Sequence, residues 1–157
     1  MAALESLKEL YEQYDATVVQ VRKKASTFAG IFGLGDDPRR NACHESFYDA
    51  VGKLVADYAA SNPAQEDVAQ VVRFILSAAH LNRDKETYWY LYAVQGHTKV
   101  LIPMLSAQDC REMIALYDDA YPKADRMPVQ RELYKLLLKH AGQKADSGSF
   151  FQKLFGK

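Results

Sequence analysis

The sequence predicts an all-α protein, a single-domain bundle of about six helices, with stacked helical hairpins as the alternative arrangement. Three observations carry this reading. Leu4, Leu7, Tyr11, Tyr14, Val18, Val21, Ala25 and Phe28 alternate at spacings of three and four, which holds one narrow apolar stripe along one side of a helix. Helix-period apolar faces recur in the segments that follow, separated by breaks that contain Pro or Gly. The composition, 48% hydrophobic and 25% charged over 157 residues, suits one soluble domain able to bury roughly 70% of the surface its unfolded chain exposes.

The stripe predicts a first helix over residues 3 to about 27, ended by FAGIFGLG at 28–35, where three glycines fall in eight positions. Asp36 or Asp37 then caps a second helix with Pro38 in its first turn and Cys43, Phe47, Val51, Leu54 and Tyr58 on its buried face. Ser61-Asn62-Pro63 closes it. Asn62 as cap and Pro63 as first helical residue open a third helix with Val68, Val71, Val72, Ile75 and Ala79 inward. The second and third helices are expected to pair as an antiparallel hairpin.

YWYLYAV at 88–94 is apolar or aromatic at every position, so periodicity does not separate helix from strand, and a β-hairpin turning at Gln95-Gly96-His97 competes. A buried helix interrupted near Gly96 and Pro103 is preferred, because a lone two-stranded hairpin is weak and the flanking segments are helical. Ser106 with Asp109 forms a capping box for a fifth helix burying Cys110, Met113, Ile114, Tyr117 and Tyr121, and Pro122 stops it. A sixth runs from Pro128 to Ala141 with Val129, Leu133, Leu136, Leu137 and His140 on its apolar face, ended by Gly142. Residues 1–142 form the helical domain. Residues 143–157 read as a polar linker and a Phe-rich tail, in which Phe150, Phe151, Leu154 and Phe155 either dock on a partner or fold back over an apolar patch.

Twenty basic and twenty acidic side chains cancel. This balance argues against an extended phosphate-binding surface, so no nucleic-acid partner is expected. Glu5 and Lys8 interrupt the place of a signal-peptide core, no uncharged run reaches the roughly 20 residues of a spanning helix, and Cys43 and Cys110 are too few for a disulfide framework. A cytoplasmic protein with no transmembrane segment is expected, with at most weak membrane-surface contact by the tail.

The search for chemistry turns mainly on His44, His80, His97 and His140. None follows a carboxylate by three residues, His44-Glu45 meets Tyr48 where a zinc protease helix needs its second histidine, and no Cys-x-x-Cys is present, so neither a metal nor a cofactor is expected. The glycines of GIFGLG lack the Lys-Ser or Lys-Thr of a phosphate loop. The separation of Arg73 from His80 is similar to that in helical ribonuclease domains of the HEPN type, but it is confined to two residues and assigns nothing. Cys43 adjoins His44, yet neighbouring helical residues point about 100° apart, so a core cysteine beside a surface histidine is expected.

A non-enzymatic interaction or adaptor module remains as the leading expectation, docking on a protein partner through the tail or forming a homo-oligomer through the N-terminal stripe. The alternative is a small helical enzyme or ligand-binding domain whose pocket gathers His44, His80, Tyr88, Tyr92 and His97.

Overall fold

The computed structural model describes residues 2–32, 38–81 and 85–142, without side-chain detail for 22–32, 38–41, 80–81 and 85–89. Six helices follow in order: α1 (Ala2–Phe32), α2 (Pro38–Ala60), α3 (Gln65–Leu81), α4 (Lys85–Gln95), α5 (Ala107–Ala120) and α6 (Pro128–His140). Short 3₁₀ turns cover Gly96–Val100 and Ile102–Met104 between α4 and α5, and Lys123–Asp125 between α5 and α6. No strand occurs among the described residues, so the aromatic run at 88–94 is helical.

α1 is longer than its glycines suggest, passing through Gly30 to end at Phe32. A glycine inside a helix costs about 1 kcal/mol and does not forbid it. The stripe faces the chain's own core: Leu7, Tyr14 and Val18 are buried, and Leu4, Tyr11 and Val21 half-buried, against α2 and α3. α1 and α2 run antiparallel, with Tyr14 opposite His44 and Tyr11 edge-on to Phe47 at 4.9 Å. From Leu4 to Val21 the stripe thus packs within its own chain.

The expected pairing of α2 with α3 is corrected by the structure. Asn62 takes a left-handed backbone (φ 52°), the conformation of a residue that ends a helix, and α3 begins at Gln65, so Asn62 does not cap it. One flank of α2 is already occupied by α1 and another by α4 and the first 3₁₀ turn, and α3 packs instead on α4, α5 and α1. The apolar face read for α3 holds, with Val68, Val71, Val72, Ile75 and Ala79 buried. α5 and α6 lie side by side as a hairpin, the Ser106 and Asp109 capping box opens α5, and Gly142 (φ 73°) ends α6.

Between these layers, α4 and its 3₁₀ extension form a central strut. Gln95, at its end and fully buried, ties four elements together. Its Nε2 donates to the Leu76 carbonyl and the Tyr121 hydroxyl, while its Oε1 accepts from the Tyr117 hydroxyl at 2.6 Å and from Gln130 Nε2 at 3.3 Å. Gln130 also reaches back to accept the Met127 N–H, which opens α6. Beside this knot, buried Arg126 donates to the carbonyls of Tyr117 and Tyr121, closing the C-terminus of α5, and pairs with Asp118 at 2.8 Å. Its guanidinium lies 4.3 Å from the Tyr134 ring centroid and 5.6 Å from that of Tyr117. No helix among the described residues is long and apolar enough to cross a membrane.

Candidate functional site

The buried face of α2 is set by Phe47, Val51 and Val55, and His44 stands on the same side one turn before them. His44 is therefore buried, and Cys43, one step around the helix, is half-buried on the flank where it lines a groove of about 470 Å³ between α1 and α2. This reverses the expected arrangement of a core cysteine and a surface histidine. The imidazole can be buried because its polarity is met: Nδ1 and the Tyr14 hydroxyl share a hydrogen bond of 2.7 Å, and the ring stacks on Tyr90 at 4.0 Å and 11°. Burial pushes the Cys43 thiol pKa up, away from the thiolate a nucleophile requires.

A second histidine is seated about two helical turns further along α2. Gly52 stands opposite His97 of the 3₁₀ turn, and a Cβ at residue 52 would lie 2.7 Å from His97 Cε1. The missing side chain lets the imidazole rest on the α2 backbone, where it tilts against the Tyr48 ring with centroids 4.3 Å apart. His97 Nε2 is buried with no hydrogen-bond partner among the described residues. Burial lowers the pKa of this imidazole, opposed by the backbone of Tyr48 and the charge of Asp49.

Between these two histidine-backed rings lies a cleft of about 490 Å³ lined by Glu45, Tyr48 and Asp49 of α2 and Tyr90 and Ala93 of α4. Tyr48 remains 38% exposed although it is a large ring. Glu45 and Asp49, four residues apart on one helix face, form no ion pair among the described residues. Elsewhere Glu5, Glu112, Glu132 and Asp118 pair with Lys8, Arg73, Lys99 and Arg126. No group of three or more His, Cys, Asp or Glu among the described residues is placed to hold a metal ion.

Of the residues expected to share a pocket, His44 and His97 come to this cleft, each behind one of its tyrosines. Tyr92 does not; it meets Tyr121 edge-on at 5.8 Å. The side chains of His80 and Tyr88, and the whole of Phe150, Phe151, Leu154 and Phe155, lie outside the described residues. Arg73 is engaged with Glu112 of α5. Tyr90 belongs to the 88–92 segment expected to line a groove, whereas Glu45, Tyr48 and Asp49 are lining residues that sequence reasoning missed. Their signal was faint: an aromatic set among acids on a polar helix face, with Lys53 four residues after Asp49 suggesting an intrahelical pair that does not form. No protein-family model, no curated protein sequence and no solved structure matches this chain.

Proposed function

We propose that the protein is a non-enzymatic α-helical interaction module that docks a partner protein in the α2–α4 cleft, with the Phe-rich tail as a second docking element. The observation that carries this reading is what the cleft presents. Its histidines stand behind Tyr90 and Tyr48 as buttresses, and the surface offered to a visitor consists of ring faces and carboxylates, groups suited to binding. Two free thiols, one buried and one half-buried, agree with action in a reducing cytoplasm.

The test is capture of bound proteins from a lysate of the source cells by the full chain, by Tyr48→Ala, by a form ending at Asp146, and by Val19→Ser as a control at an exposed α1 position. Tyr48→Ala is expected to lose specific partners that Val19→Ser retains. An identical partner set for Tyr48→Ala and the full chain would remove the cleft from the proposal. Proteins lost only on truncation would assign the tail its own partner, and an unchanged set would assign it none.

A further inference from the structure

We propose that the α2–α4 cleft takes the cationic side chain of an arginine-bearing segment of a partner protein, stacked against Tyr48 and Tyr90 and paired with Glu45 and Asp49. The inference rests on reading the cleft as an interaction surface and adds the chemistry of what enters it.

The first support is charge. Glu45 and Asp49 are like charges four residues apart on one helix, a mildly unfavourable arrangement, and neither has a basic partner among the described residues. An anionic visitor would be repelled by both carboxylates, and a wholly apolar one would strip their water and return no hydrogen bond. A guanidinium answers each requirement, since it is always charged, planar enough to lie on a ring and forked to bind carboxylates in pairs.

The second support is an internal precedent. In the α5–α6 hairpin the same residue types surround an arginine that the chain itself supplies: Arg126 lies over Tyr134 at 4.3 Å and donates to Asp118 at 2.8 Å. Among the described residues the cleft repeats the tyrosines and the acids without the arginine. Its walls are also held in advance, Tyr90 by the stacked His44 and Tyr48 by His97, so little ordering remains to be done on binding.

The experiment is an NMR titration of the full-length protein with a short capped peptide holding one arginine, run beside the same peptide with citrulline, which keeps the shape and removes the charge. The arginine peptide is expected to shift the Tyr48 and Tyr90 ring resonances at millimolar concentration, and the citrulline peptide to bind about tenfold more weakly. The double variant E45Q/D49N is expected to weaken arginine binding at least about fivefold with its amide spectrum otherwise unchanged, since both are surface positions. Equal binding of both peptides would overturn the charge assignment while leaving the cleft as an interaction surface. Shifts absent from the cleft with either peptide would overturn the inference. Concentration-dependent broadening of the same rings without peptide would give the cleft to a second copy of the chain and overturn it as well. The broader reading fails separately, through an unchanged partner set for Tyr48→Ala.

Discussion

The α5–α6 hairpin and the α2–α4 cleft are assembled from the same kinds of side chain and end in opposite states. At the hairpin every group named has an answer: Gln95, reaching in from the end of α4, uses both ends of its amide, Gln130 bridges it to the start of α6, and Arg126 closes α5 and pairs with Asp118. In the cleft, among the described residues, two carboxylates form no pair and a buried imidazole nitrogen has no partner, and a tyrosine stays exposed. A buried polar network that is fully satisfied holds a fold in one arrangement. Polar groups left uncommitted beside a concavity are available to something else.

The largest effect is expected where the saturated region is broken. Gln95→Leu keeps the volume but strands the Tyr117 hydroxyl and Gln130 Nε2, two buried donors, and should lower unfolding free energy by about 3 kcal/mol in a urea titration. Arg126→Met retains packing over the tyrosine rings and removes the donor to the Tyr121 carbonyl. It should lower stability by about 2 kcal/mol, read by the same titration, because Asp118 is partly exposed and remains solvated.

The opposite sign is expected where the core itself is unsatisfied. Tyr11 sits edge-on between Phe47 and Phe74, its hydroxyl is buried without a hydrogen-bond partner among the described residues, and burial drives its pKa far up. Tyr11→Phe should therefore raise stability by about 1 kcal/mol, visible as a higher denaturation midpoint with an unchanged slope.

The smallest effect belongs to the cleft and sharpens the contrast. His97 has its pKa lowered from 6.5 by burial, so the unfolded chain takes up that proton at higher pH than the folded one. The His97 contribution to stability is then complete above about pH 6.5 and is lost as pH falls toward the lowered folded value, a slope measurable by denaturation on either side of pH 6.5. Gly52→Ala should displace the ring, return the His97 titration toward 6.5 in an NMR pH series and loosen Tyr48. It should leave overall stability nearly unchanged, because the gain in helix propensity, up to about 1 kcal/mol, offsets the lost packing.

Elements set by local rules were legible in the sequence, and their neighbours in space were not. The capping box at Ser106, the stop at Gly142 and the inward face of α3 follow from short-range chemistry and period, and all are present, while the helical state of 88–94, on which period was silent, followed from its helical neighbours. The α2–α3 pairing and the surface placement of His44 failed for one reason. Each depended on which side of α2 its partners would occupy, and α1, α4 and the 3₁₀ turn decided that. Gln95 and Gln130 read as polar positions because a sequence does not show that a buried amide will find its partners.

Taken alone, the sequence determined that this is a helical domain with a narrow apolar stripe, neutral overall charge and no local catalytic spacing, since all of these are properties of residues close in the chain or of their sum. The tertiary structure alone decided that Tyr48 and Tyr90, from different helices, face one cleft and that two histidines stand behind them. Packing α2 against α4 brings together residues forty-two positions apart, and no period or spacing within either helix encodes that meeting.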